Sequence, residues 1–311
     1  MGDRTEGGFP LSRRAVLAAG AAAALSRLPP AHAEAAMLRR PIPHSGEMLP
    51  AIGVGTSQVF NIGADAGERA ERRAVIETLV AGGGSLIDTA STYGRAEGVV
   101  GDLVAEAGLR DKVFIATKGE VRSRAAEVAE FQQSLQLLKT PKVDLMQLHN
   151  VRSPQQDLSI YREWKAAGLA RYIGITTSFG GDHDAIAAVT ERDKPDFVQV
   201  NYAITDRNAE RRVLPAAKAA GAAVLCNVPF GTGSLFQKVR GKPLPDWAAE
   251  FDAATWAQFF LKFLLTNDAV TAVIPATAKA EHMRDNLAAC RGRMPDAALR
   301  ARMLAYLDQL G

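Results

Sequence analysis

Eight short apolar, β-prone runs recur along this chain, and amphipathic stretches of helical period separate them. The runs lie at 52–56, 85–87, 113–117, 143–148, 172–176, 197–201, 223–227 and 270–274. They are continuously apolar rather than alternating, as parallel strands covered on both faces require. Between them, 68–81, 125–138, 157–167 and 209–220 place apolar residues at helical spacing. Regular alternation of strand and helix predicts an α/β protein with a parallel sheet, and eight units match a (β/α)8 TIM barrel in a single domain of roughly 250 residues. A doubly wound open sheet is the competing arrangement. Its dinucleotide fingerprint belongs after the first strand, where Gly53-Val54-Gly55-Thr56-Ser57-Gln58 lacks the third glycine. The barrel is therefore preferred. The longest irregular piece, 231–249, is a candidate ligand cover.

The first 33 residues read differently. Arg13 and Arg14 precede an apolar run at 15–25, followed by Pro29, Pro30 and Ala31-His32-Ala33. This has the n-region, h-region and small-residue cleavage site of an export leader, and the paired arginines resemble a twin-arginine signal. The run is shorter than the about 20 apolar residues needed to span a bilayer, so it is an address and not a stable membrane anchor. The expected organisation is a leader at 1–33, carried by the twin-arginine export machinery and cleaved near Ala33, and a barrel domain at 34–311, with a periplasmic or otherwise exported mature protein. A cytoplasmic protein with an alanine-rich tail is the alternative.

The 311 residues are 47% hydrophobic and 23% charged, enough to bury a large core. A net charge of +3 with scattered basic residues gives a nucleic-acid partner little support. Cys226 and Cys290 have no metal-ligand spacing, and Cys226 sits in an apolar stretch as a small buried hydrophobe would. No two of the five histidines stand at i, i+2 or i, i+4, so no metal is expected.

Polar residues mark the ends of the second, third and fourth runs. Asp88, Lys118 and His149 are separated by 30 and 31 residues, one strand-helix-strand period each, which puts them at similar height on the carboxyl rim where barrel active sites lie. Tyr93 follows Asp88 in the loop above the same strand. Singly, each has an ordinary explanation: a cap, a surface charge, loop packing, a satisfied core histidine. Their coincidence at matched strand ends is the signal. Reducing a carbonyl requires an acid to protonate the oxygen as hydride reaches carbon. A phenol serves when a neighbouring ammonium favours its ionised form, and a carboxylate beside that ammonium keeps it charged. Lys118 and Asp88 suit those tasks. His149 could orient the carbonyl and share in stabilising the oxyanion.

Asp88-Thr-Ala-Ser-Thr-Tyr93-Gly94, Thr117-Lys118-Gly119 and Asp144-Leu-Met-Gln-Leu-His149 resemble the active-site signatures of the aldo-keto reductases. The resemblance extends through Gly53-Val-Gly-Thr56, Trp164-Lys-Ala-Ala-Gly-Leu-Ala-Arg-Tyr-Ile-Gly174, Gln199-Val-Asn-Tyr202 and Ile274-Pro-Ala-Thr-Ala-Lys-Ala-Glu-His-Met-Arg-Asp-Asn286, and covers about residues 42–290. It implies an NAD(P)H-dependent oxidoreductase acting on a small aldehyde or ketone, with Asp88, Tyr93, Lys118 and His149 catalytic. It implies cofactor contacts from Thr56, Thr176, Thr177, Gln199 and Asn227, from the loop bearing Pro229, Gly231, Gly233 and Leu235, and from Thr277, Lys279, His282, Asp285 and Asn286. This chain departs from the family pattern in three places. Thr176-Thr177 stand where Ser-Asn is usual, Asn227 where an aromatic commonly stacks, and Ala276 and His282 where Lys and Arg hold the adenosine phosphate. NADP(H) is favoured over NAD(H). Two other functions fit the same residues: a nucleotide-binding regulatory subunit with little turnover, and a barrel aldolase forming a Schiff base at Lys118. For the substrate side, Phe230, Trp247 and Val151 are candidate linings of an open pocket.

Overall fold

Seen in the computed structural model, which describes residues 1–2, 36–120 and 123–310, the chain from Ala36 onward opens with a hairpin. Its strands are β1 (Arg39–Pro41) and β2 (Met48–Pro50), paired antiparallel. Eight parallel strands follow: β3 (Val54–Gly55), β4 (Leu86–Asp88), β5 (Phe114–Gly119), β6 (Val143–Leu148), β7 (Ala170–Thr177), β8 (Phe197–Asn201), β9 (Ala223–Asn227) and β10 (Ala272–Val273). Each pairs with its neighbours in chain order. Parallel bridges at Ile52–Val273 and Gly55–Ala276 join the first strand to the last and close the sheet. The (β/α)8 barrel expected from the alternating runs is the observed fold. Residues 3–35 are outside those described, and the leader expectation falls almost wholly on them. Among the described residues no helix is long and apolar enough to cross a membrane.

The helices that follow the strands are α1 (Ala66–Ala81), α2 (Ala96–Glu106), α3 (Arg124–Leu137), α4 (Ser159–Ala166), α5 (His183–Asp193) and α6 (Val213–Ala220). The last four are α7 (Ser234–Lys238), α8 (Trp256–Leu265), α9 (Ala280–Ala288) and α10 (Ala297–Gln309). α1 illustrates why they form. The Asp65 side chain accepts from the Glu68 N–H (2.8 Å) and satisfies an orphan donor of the first turn, while Arg72, Val75, Ile76 and Leu79 recur on one buried face. α6 starts four residues later than its periodicity suggests, because 209–212 are taken up by a 3-10 turn, Asn208–Arg211, and the residue after it. It ends at Gly221, whose φ of 70° is left-handed.

Side chains alternate across each strand, and this sets the level of the site. The lower barrel is filled by Leu86, Phe114, Leu145, Tyr172, Phe197 and Leu225, which pack with Ile42 and Leu49 of the hairpin at the amino-terminal end. Fully burying a side chain of this size stabilises by roughly 1.5–3 kcal/mol. Two residues further along the same inward faces come Asp88, Gln147, Gln199 and Asn227, and four along from Phe114 comes Lys118. The apolar plug therefore carries a polar layer directly above it.

Cys226 and Cys290 are buried free thiols, and burial pushes both up, Cys290 to about 12. The stretch 231–249 contains α7 and runs into a 3-10 segment, Asp246–Phe251, within which Trp247 packs on Phe251, Phe259 and Tyr306. Trp247 is thus core packing rather than pocket lining, as is Val151, which is fully buried.

Candidate active site

At the carboxyl end of β5, the Lys118 ammonium donates to Asp88 Oδ2 and to the Thr89 carbonyl, each at 2.7 Å. The pair is almost fully buried, at 1% and 3% exposure. Burial pulls the Lys118 ammonium down, but Asp88 and Tyr93 outweigh it and hold the group above the ordinary lysine value. Burial also raises Asp88, against the pull of Lys118, Gln199 and Gln147. Lys118 Nζ lies 5.0 Å from the centroid of the Tyr93 ring, and that ring meets His149 edge-on at 5.9 Å. All four residues implied as catalytic thus gather at one point on the rim. His149 is driven down to about 3 by burial first and then by the positive charges of Lys118 and Arg152. Its imidazole is neutral at physiological pH, with Nδ1 3.4 Å from Thr92 Oγ1.

Of the residues implied for the cofactor, Thr56 and Gln199 bond Asp88 directly. Thr56 is buried, and both its N–H and its hydroxyl donate to the Asp88 carbonyl at 3.0 Å, fixing the strand end that carries the carboxylate. Thr176 and Thr177 alternate in direction. Thr176 Oγ1 accepts from the Asn150 N–H (3.1 Å), whereas Thr177 Oγ1 accepts from the Phe179 N–H (3.1 Å) within its own turn. Gln199 donates to Asp88 Oδ2 (3.3 Å). Asn227 Oδ1 is buried with no partner among the described residues, an acceptor that a bound amide donor would satisfy.

After β9 the backbone turns through Val228, Gly231, Thr232 and Gly233, all at positive φ. Such a conformation is costly for a β-branched residue like Val228 and is typical of ligand-holding segments. Pro229 and Leu235 are buried beneath this loop. Beside it lies a cavity of about 390 Å³ walled by Phe230, Phe236 and Trp256 and floored by Ala276, Thr277, Asp285 and Asn286, with His282 at its edge. Lys279 and His282 are exposed and share Glu281, at 3.8 and 3.7 Å. Asp285 is held by the Thr255 hydroxyl (2.9 Å) and the Gln258 amide (2.7 Å). Aromatic walls with a few polar groups suit a planar base, so the residues present fit a dinucleotide.

Residues 51–302 match the aldo/keto reductase family. The chain belongs to that family. Aldo-keto reductase YhdN of Bacillus subtilis is 32% identical over 185 residues, and the match spans 54% of each chain. Methylglyoxal reductase YeaE of Escherichia coli is 28% identical over 278 residues, covering 87% of this chain and 96% of that one. Among solved structures, an aldo-keto reductase from Klebsiella pneumoniae in complex with NADPH superposes with a TM-score of 0.72 at 25% identity, covering 88% of this chain and 95% of the other.

Some residues of this aldo/keto reductase site escape the sequence reading. Gln147 donates to Gln199 Oε1 (2.9 Å), which extends the chain of contacts from Lys118 through Asp88 and Gln199 across the barrel. Its signal was present, since it stands two residues before His149 and so shares that residue's strand face. Gly174 makes room for it: a Cβ there would lie 3.1 Å from Gln147 Cγ. Phe236, Thr255 and Trp256 of the aromatic cavity carry no local signal, because only the folded path brings them together.

A depressed histidine has a consequence for stability. The unfolded chain binds a proton at His149 near the ordinary 6.5, and the folded chain only near 3. Stability from this group is therefore complete above 6.5 and is lost as pH falls from there toward 3. Urea midpoints are expected to fall more steeply for the wild type than for His149→Gln between about pH 6.5 and 4.5. Parallel curves would mean that His149 is protonated in the folded protein.

Proposed function

We propose that this protein reduces an aldehyde or ketone to an alcohol, with NADPH preferred over NADH and Tyr93 as the proton donor. The observation that carries the reading is the buried Lys118–Asp88 pair beneath Tyr93 and beside a neutral His149. The Lys118 ammonium stabilises the negative charge that grows on the Tyr93 oxygen as its proton is transferred, and Asp88 holds the ammonium charged and in place. In the tautomer whose Nδ1 accepts from the Thr92 hydroxyl 3.4 Å away, Nε2–H is free to hydrogen-bond the carbonyl oxygen as charge grows there. Exclusion of water by the packed barrel below strengthens both effects.

When bound, the nicotinamide supplies the hydride. Gln199, Thr176 and the unpartnered Asn227 Oδ1 are the groups placed to hold its amide, the turn at 228–235 to follow the pyrophosphate, and the aromatic cavity to take the adenine. Lys279, exposed three residues before His282 at the cavity's edge, is the cation available to a 2′-phosphate, and NADPH is what the superposed Klebsiella reductase holds. A Schiff base at Lys118 is disfavoured, since the amine is kept protonated by its partner.

The test is NADPH oxidation with a panel of aldehydes and ketones, including methylglyoxal, for which the Escherichia coli relative is named, alongside a fluorescence titration with NADPH and NADH. Turnover with tighter NADPH binding is expected. Tight binding with no turnover of any carbonyl would instead favour a nucleotide-binding regulator. We read residues 1–33 as a twin-arginine export leader, and the same preparation, isolated from its native compartment and sequenced from its N-terminus, then begins at Glu34.

A further inference from the structure

A second cavity, of about 480 Å³, opens beside His149 and is lined by Glu120, His149, Asn150, Arg152, Ser153 and Gln156. None of the six is an apolar side chain, so an alkyl or aryl group would find little to pack on here. Arg152 makes no ion pair among the described residues. Its guanidinium lies over the Phe179 ring, 4.9 Å from the centroid, an arrangement that orients the planar group while leaving its N–H edges unused.

The backbone beneath Arg152 is held on both sides. Val151 N–H donates to the Thr176 carbonyl (2.8 Å) and Asn150 N–H to Thr176 Oγ1 (3.1 Å). Gln156 Oε1 accepts from the N–H groups of Arg152 (2.7 Å) and Ser153 (3.1 Å). Asn150, at a φ of 58°, accepts from Ser178 N–H and Oγ, each at 3.3 Å. An exposed arginine thus stands on a fixed loop, over a fixed ring, next to the residue that would orient the substrate carbonyl.

Resting on the carbonyl-reductase reading, we propose that Arg152 recognises a carboxylate carried by the substrate, so that this enzyme is selective for oxo acids over neutral carbonyl compounds. A guanidinium pairs with a carboxylate through two parallel hydrogen bonds, which gives orientation as well as affinity. Glu120, whose backbone N–H donates to Glu130 Oε2 (3.2 Å), also lines the cavity. The positive charge of Arg152 is felt at His149, which places the two within electrostatic reach of one small molecule. A carboxylate and a carbonyl on one short chain would meet both.

The experiment compares NADPH oxidation with pyruvate, 4-oxobutanoate and 5-oxopentanoate against their methyl esters, which keep the carbonyl and remove the charge. For the acid of fitting length, wild-type kcat/KM is expected to exceed that of its ester. Arg152→Gln should lower the acid-to-ester ratio by about 10–100-fold, the range of a charge-assisted hydrogen-bonded pair. Arg152→Lys should recover part of it by restoring the charge without the fork. A general structural defect would lower acid and ester together and leave the ratio unmoved, which would overturn the proposal. Esters reduced as well as every acid would also overturn it while leaving the reductase reading intact. Absence of turnover with all six compounds and with the aldehyde panel would remove both.

Discussion

Tyr93→Phe is expected to slow carbonyl reduction by about 10²–10⁴-fold, the contribution typical of a positioned general acid, with nucleotide affinity preserved. The substitution deletes one oxygen and keeps the ring. The ring's edge-on contact with His149 at 5.9 Å is retained. Lys118 keeps its bonds to Asp88 and to the Thr89 carbonyl at 2.7 Å, so the buried pair does not need to rearrange. What disappears is the proposed proton source, and His149 is a poor replacement for it. With its pKa at about 3 the imidazole is neutral, and giving up its remaining N–H proton would leave an anionic ring, a far more basic species than a phenolate. Stopped-flow oxidation of bound NADPH by an aldehyde measures the effect on the chemical step. A wild-type rate in Tyr93→Phe would move the acid role to another group, and weakened nucleotide binding would mean that the phenol also serves the cofactor.

The barrel was legible because its strands obey a simple rule of burial. Runs covered on both faces must be apolar throughout, and 143–148, 197–201 and 223–227 match the observed strands end to end. The hairpin at Arg39–Pro41 and Met48–Pro50 was not legible. Its strands have three residues each, and the place of Arg39 and Arg40 is set by where the chain enters the barrel rather than by any period. Asp88, Lys118 and His149 could be seen because polar side chains end otherwise apolar runs, and Tyr93 because it stands in the loop above the first of them. Gln147 escaped for the opposite reason, since it is flanked by Met146 and Leu148 and merges into the run. Thr177 shows a different limit. Its hydroxyl is of a suitable type, but alternation along β7 turns it away from its neighbour Thr176 and into a turn with Phe179. Residue type is local, whereas the aromatic cavity formed by Phe230, Phe236 and Trp256 depends on separate loops meeting at the barrel's rim.

Lys118→Met separates what holds this site together from what makes it work. Removing the ammonium strands Asp88 in the barrel, with Oδ1 unpartnered among the described residues and Oδ2 left to the neutral Gln199 amide at 3.3 Å. Breaking a buried pair from one side costs about 3–5 kcal/mol, so a large fall in the urea midpoint is expected. Carbonyl reduction should fall by a factor approaching that of Tyr93→Phe, since the charge growing on the Tyr93 oxygen during proton transfer loses its neighbouring cation. Adding Asp88→Asn takes away the stranded charge without changing its shape, and the amide can still accept from Gln199. Most of the lost stability should return. Activity should not, because a thioether and an amide, both neutral, cannot ease proton release from Tyr93. Urea midpoints and kcat/KM measured on the wild type, both single variants and the double variant form a complete cycle. Recovery of activity together with stability in the double variant would mean that the pair serves packing alone, and the phenol would then need no help from an ammonium.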